Sequence, residues 1–243
     1  MPKAKFADIY QDLRQKVETG VYAYQKLLPS ENELTAAYKC SRNTVRRALR
    51  ELIELGYVQA IQGKGVRVLY QPAAQSEFRI GGIETFKEAA QRNHLQSKTR
   101  VLRFERCVCT AALARKTGFP KGEILWKIYR VRLLDGQPLI LDKNFFRADL
   151  VPALTSEIAQ QSIYEYLEDV LGIKIVTSKR RITVERVTEE DRQCLELGDY
   201  NCVAVITSQT FNDNGIQIEY TISRHHPERF SFEDTATRYR NQP

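Results

Sequence analysis

Between residues 28 and 69 the apolar positions change period twice, and each change predicts a different element. Leu34, Ala37 and Tyr38 share one helical face, and Ser30 with Glu33 has the spacing of a capping box behind Pro29. A second helix is predicted from the N-cap Ser41 to Gly56, which can take the left-handed conformation that ends helices. Val45, Ala48, Leu49, Leu52 and Ile53 form its apolar stripe, while Arg42, Arg46, Arg47 and Arg50 project from other faces. From Tyr57 to Ile61 the period drops to two, Gly63-Lys64-Gly65 makes a tight tip, and Val66 to Tyr70 returns as a strand.

The pattern beyond residue 80 is longer and alternates helices with strands. Helices are predicted from about Thr85, from Ala111 to Lys116, from Ser156 to Gln160, from Ser162 to Leu171 and after the cap Thr188. Strands are predicted over 99–109, 124–134, 138–146, 174–187, 203–211 and 216–223. Asp135-Gly136 and Asn214-Gly215 carry the signal of type I′ hairpins. The expected class is α+β: an N-terminal winged helix-turn-helix over 1–71, a Gln-Pro-led linker over 72–79, and an antiparallel-sheet domain over 80–243.

The arginine-rich helix has two readings. A charged helix face is commonly only solvated surface. A major groove, however, admits one helix N-terminus first, and arginine bonds bidentately to guanine O6 and N7, so Arg42 and Arg46 stand where base contacts belong. The G-K-G tip is weak by itself and lacks the context of a nucleotide-binding loop, but behind such a helix it suits a phosphate backbone or minor groove. Charge agrees: residues 1–70 hold 12 Lys/Arg against 7 Asp/Glu, whereas the rest of the chain is near neutral at 25 against 23.

In the second domain, Arg130 and Arg132 alternate along a strand and share a face, with Asp142 returning across the Asp135-Gly136 turn. Two guanidiniums on one face want an anion, although an ion-pair ladder between strands fits the same spacing. Ser162, opening S-I-Y-E-Y-L, adds a hydroxyl and helix-start amides, so the inferred ligand combines phosphate with polyol. Cys40, Cys107, Cys109, Cys194 and Cys202 have no zinc spacing and read as reduced thiols; Cys107 and Cys109 face one side, which fits packing and, less simply, a redox switch. His225 and His226 are adjacent and diverge in a strand, and His94 lies apart, so no metal site is expected. No signature of a hydrolase or metalloprotease occurs, so no catalytic residue or cofactor is assigned and a small-molecule enzyme is the weaker reading. No segment has the roughly 18 apolar residues of a membrane span and no signal peptide is recognisable, so the expected location is cytoplasmic.

LPSE at 28–31, SRNTVRRAL at 41–49 and the G-K-G tip together resemble the DNA-binding domain of the GntR family of bacterial transcription regulators. The resemblance implies DNA contacts by Ser41, Arg42, Asn43, Thr44 and Arg46 and by Gly63, Lys64 and Gly65. Asn32 stands where many members carry a guanine-reading arginine, so it implies an operator altered at that base. The motifs G-x-x-T-F at 82–86, R-x-R at 130–132, S-I-Y at 162–164 and E-Y-T at 219–221 resemble the UTRA effector domain, of chorismate-lyase-like fold, on the HutC-like branch of that family. That likeness implies a phosphate held by Thr85, beside Phe86, with Arg130, Arg132, Ser162 and Tyr164, and a sugar near Asp142, Glu219 and His225. GIETFKEAA, LDKNFF, SIYEYLEDVLGI and SRHHPERFSFED are similar to branch members that answer trehalose 6-phosphate. The implied function is a homodimeric repressor on double-stranded operator DNA, released by trehalose 6-phosphate. Glucosamine 6-phosphate or another sugar phosphate is the alternative effector, and a sequence-tolerant architectural DNA protein the third reading.

Overall fold

The computed structural model describes residues 3–71, 83, 85–92 and 95–232, without the side chains of 3–5 and Arg92. The whole linker expected over 72–79, Gly82, His94 and the tail from 233 lie outside them. The described residues fall into two compact units, one within 3–71 and the other within 83–232.

The first unit packs α1 (Lys3–Glu18), α2 (Glu31–Tyr38) and α3 (Arg42–Glu54) beside a hairpin of β1 (Val58–Ile61) and β2 (Gly65–Val68). The capping box at Ser30 and Glu33 forms, fixing where α2 begins. Ser41 accepts from the Thr44 amide and so starts α3 at the residue the pattern indicates. Val45, Ala48, Leu49 and Leu52 are buried against Leu13, Val17 and Leu34. Two expectations fail at the stripe margins. Ile53 is 37% exposed in the last turn of α3, and Ala37 is exposed on α2; each lies at the edge of its apolar face, where a helix stops touching the core. Gly63 at φ 72° and Gly65 at φ 111° supply the left-handed backbone of the tip. At the base of the hairpin Tyr57 and Tyr70 stack with centroids 5.0 Å apart, and the Tyr57 hydroxyl donates to Glu18 at 2.8 Å, tying the hairpin to α1.

The second unit contains α4 (Phe86–Arg92), β3 (Ser97–Val108), α5 (Ala111–Thr117), β4 (Ile124–Leu134), β5 (Gln137–Arg147), α6 (Ser156–Gln160), α7 (Ile163–Glu165), β6 (Ile175–Arg186), α8 (Glu189–Cys194), β7 (Cys202–Asn212) and β8 (Gln217–His225). The strands form one antiparallel sheet of order β3-β4-β5-β8-β7-β6, so β3 and β6 are its edges. Alternation assigns each strand two faces. Leu141, Val131, Val203 and Val205 pack with Leu195 and Leu197 behind α8 on one face, and Phe145, Leu125 and Tyr220 pack with Cys109 and Phe119 near α5. On the other face Ile128, Phe146 and Trp126 pack with Ala159, Ile163 and Leu167, and Ala90 of α4 meets Leu134, Leu139 and Ile140.

Asp135 and Gly136, at φ 48° and 83°, form the expected type I′ connection between β4 and β5. The β7–β8 connection differs. Only Gly215 has positive φ, its amide donates to the Asn212 carbonyl at 3.0 Å, and the Asn212 amide donates to the Ile216 carbonyl at 3.0 Å, which is a three-residue loop closed by a glycine bulge. The Asn212 side chain, accepting from the Asn214 and Ile216 amides, favours that longer loop. The segment 162–171 is also not one α-helix: after α7 it widens into a π-helical turn over Tyr166–Val170, while Ile163 and Leu167, four residues apart, keep their buried face. The pair Cys107 and Cys109 packs around Phe119 and Leu125, and burial raises both thiol pKa values, as packed thiols require.

Candidate functional site

Two sites emerge, one in each unit. On the first, Asn32 of α2 and Arg42, Asn43 and Arg46 of α3 are exposed beside the cap Ser41, whose hydroxyl lies 2.8 Å from that of Thr44. The arginines of α3 divide by partner. Arg46 Nε bonds Glu31 at 2.9 Å, an exposed pair across α2 and α3, while Arg47 lies 4.3 Å over the Phe6 ring and serves packing against α1. Gly63, Lys64 and Gly65 form the exposed tip, and a Cβ added at either glycine would meet no atom within 4 Å, so backbone conformation rather than crowding selects them.

On the second unit, α4, α7 and the sheet enclose a cavity of about 690 Å³. Thr85, Phe86, Arg130, Arg132, Asp142, Ser162, Tyr164, Glu219 and His225 all line it. Strand register explains the convergence: Arg130 pairs with Asp142, Asp142 with Ser223, and Arg132 with Ile140 and then His225, so these side chains fall in neighbouring rows of one face. Thr85 caps α4, its hydroxyl accepting from the Glu88 amide, and Ser162 does the same for Glu165 ahead of α7.

The two arginines are held differently. Arg132 Nε donates to Asp142 at 2.9 Å, its Nη1 donates to Thr99 at 2.9 Å, and its head lies 5.2 Å from the Phe86 ring. Arg130 Nε donates to the Asn144 side-chain oxygen at 3.1 Å, its Nη1 donates to the Ala159 carbonyl at 3.3 Å, and no carboxylate forms an ion pair with it among the described residues. Burial, then the neighbouring Arg132 charge, brings the Arg130 pKa down to about 9, against the opposing pull of Asp142 and Glu219. Burial works against the ionised Asp142 as well, but Arg132, Arg130 and the Ser223 hydroxyl at 2.6 Å outweigh it and hold its pKa low. The site therefore keeps a desolvated cation that a bound dianion would stabilise.

Beside it Glu219 accepts from the Tyr164 hydroxyl at 2.6 Å, from Asn144 at 3.0 Å and from Thr221 at 2.6 Å. Burial and the Glu219 carboxylate raise the Tyr164 pKa far above its usual value, so its hydroxyl stays protonated as a donor. His225 is buried and its Nε2 has no hydrogen-bond partner among the described residues. Burial lowers its pKa to about 4, against the pull of Asp142, leaving a neutral ring with one polar atom to offer a ligand. His226 turns the other way, its ring nitrogen 3.2 Å from the Glu196 carbonyl. No cluster of metal-ligating side chains occurs among the described residues.

The pattern did not single out Asn144 and Thr221, which bond Glu219, or Ser223, which bonds Asp142, nor Thr99, Ser178, Arg180 and Ser208 along the cavity wall. Period-two alternation with Asp142 and Glu219 would have placed Asn144, Thr221 and Ser223 on the same face. Arg180, Ser178 and Ser208 needed the pairing of β6 with β7, which no local pattern specifies.

Residues 5–68 match the family model described as bacterial regulatory proteins, gntR family, and residues 92–231 match the UTRA domain. The chain is 39% identical over 234 residues to the HTH-type transcriptional regulator TreR of Bacillus subtilis, covering 96% of this chain and 98% of that protein. Its fold is similar to the crystal structure of the possible transcriptional regulator YydK from Bacillus subtilis, with TM-score 0.81 at 22% identity, covering 96% and 99% of the two chains. The effector binding domain of the B. subtilis trehalose repressor TreR is similar at TM-score 0.53 and 35% identity, covering 59% of this chain and 99% of that one.

Proposed function

The chain belongs to the GntR family of bacterial regulatory proteins and carries a UTRA domain, and from that premise we propose that it represses a trehalose operon until trehalose 6-phosphate releases it. It is a transcriptional regulator and not an enzyme, as its relatives are. Its winged reader binds DNA and its second domain takes a small-molecule effector. No helix among the described residues is long and apolar enough to cross a membrane.

The observation that carries the effector reading is the buried Arg130–Arg132 pair, facing one cavity with two carboxylates and several hydroxyls. The guanidiniums suit a phosphate dianion, and Asp142, Glu219 and His225 suit sugar hydroxyls. The similarity to the trehalose repressor TreR supports trehalose 6-phosphate as the effector. A recognition helix of 13 residues covers only a half-site, so the acting species in this account is a homodimer on a two-fold operator. Calorimetric titration of the full chain with trehalose 6-phosphate, free trehalose and glucosamine 6-phosphate tests the effector. The first should bind tightest and free trehalose, lacking the dianion, far more weakly. Equal affinity for free trehalose would rule out the arginine pair as the anchor.

A further inference from the structure

The cavity extends past the groups that a single sugar phosphate would occupy. Arg130 and Arg132 lie on β4, and the carboxylates follow on β5 and β8. Polar lining continues two strands further. Thr221 of β8 pairs with Ser208 of β7, which pairs with Arg180 of β6, and Glu219 leads in the same way through Thr210 to Ser178. All three outlying side chains, Ser178, Arg180 and Ser208, line the same cavity. From β4 to β6 is four interstrand steps, roughly 19 Å along the sheet at about 4.8 Å each. A cavity of about 690 Å³ also has room for a ligand of two sugar rings.

We propose that Arg180, Ser208 and Ser178 form a distal subsite that binds the second, unphosphorylated sugar of a disaccharide phosphate and so sets specificity against monosaccharide phosphates. This rests on the reading of the effector as a sugar phosphate anchored at Arg130 and Arg132. A guanidinium offers several donors in a plane, and two serine hydroxyls donate or accept, so the three together match the vicinal hydroxyls of a pyranose. Tyr164 marks the boundary between the subsites. Its hydroxyl bonds Glu219 on the anchored side and lies 3.3 Å from the Thr210 hydroxyl on the distal side. Arg180 is exposed on an edge strand outside the buried arginine cluster, so its replacement leaves the core intact.

The test titrates the full chain, wild type, Arg180→Gln and Ser208→Ala, with trehalose 6-phosphate and with glucose 6-phosphate, the same phosphorylated ring without its partner. Wild type should prefer the disaccharide. Arg180→Gln should raise the Kd for trehalose 6-phosphate about tenfold and change that for glucose 6-phosphate less than about twofold, with a smaller selective loss in Ser208→Ala. Retained binding of glucose 6-phosphate shows that the variant is folded. Equal losses for both ligands, or no loss for either, would overturn the distal subsite while leaving the phosphate anchor in place. Failure of wild type to bind either ligand would remove the effector reading and the subsite with it.

Discussion

Replacing Arg132 by Met separates what this residue does for the fold from what it does for the ligand. Its guanidinium lies 2.9 Å from Asp142, with both side chains 10% exposed, and it also reaches Thr99. Removing one member of a buried pair commonly costs about 3–5 kcal/mol, because the other charge is left unpaired. Asp142 keeps the Ser223 hydroxyl and the field of Arg130, so the lower end applies, about 3 kcal/mol. Substituting both, Arg132→Met with Asp142→Asn, removes the stranded charge and should cost less than the sum of the singles by about 1–3 kcal/mol. Urea unfolding followed by fluorescence reads this cleanly, since Trp126 is the sole tryptophan and is packed in the effector domain. The same samples report the ligand. Trehalose 6-phosphate at about 100 times its Kd should stabilise wild type by about 2.7 kcal/mol and Arg132→Met scarcely at all, while operator affinity stays unchanged. Additive costs would mean that the pair is not coupled, and undiminished stabilisation of Arg132→Met would move the phosphate elsewhere.

Other expectations follow from the same geometry. Arg42→Ala should weaken operator binding by about 1–3 kcal/mol and spare random DNA, whereas Lys64→Ala should weaken both alike and lower the salt slope by about one; anisotropy with the two DNAs distinguishes them. Glu31→Gln frees Arg46 from its exposed partner and should tighten non-specific binding by no more than about 1 kcal/mol, measured in the same assay. His225 has a folded pKa near 4, below its ordinary 6.5, so the fold binds fewer protons than the unfolded chain. Its contribution is whole above pH 6.5 and is lost as pH falls toward 4, with a slope approaching about 1.4 kcal/mol per unit. His225→Phe should flatten that part of the stability curve in unfolding titrations. Tyr164→Phe strips one donor from buried Glu219 and should cost about 1–3 kcal/mol in the same unfolding measurement.

Much of the reader was legible because its signals are local. Ser30 with Glu33, Ser41, and Gly63-Lys64-Gly65 each act over a few residues, and the structure places caps and a turn at those positions. The effector site was legible only in part. Arg130, Arg132 and Asp142 lie on one hairpin closed by the Asp135-Gly136 turn, but Asp142 reaches the arginines' face only because the register shifts by one residue between Arg132 and Leu133, which spacing does not reveal. Tyr164 and Glu219 are 55 residues apart and meet through tertiary packing, and the likeness of S-I-Y and E-Y-T to a known domain supplied what spacing did not. Arg180 stayed hidden because its relevance depends on strand order. The errors are of the same kind: Ile53 sits on a correctly periodic stripe, but how far a core extends along it is a property of the neighbouring elements.

If one dianionic ligand at Arg130 and Arg132 controls DNA binding, ligand and operator must be linked in both directions. Operator affinity of the full chain is measured by anisotropy at saturating and zero trehalose 6-phosphate, and ligand affinity by calorimetry with and without operator. A typical coupling is about 1–3 kcal/mol, and thermodynamics requires the same factor in both experiments. Trehalose 6-phosphate should weaken operator binding about 5–150-fold, and operator should weaken ligand binding by the same factor. Tight ligand binding with no change in operator affinity would contradict this linkage.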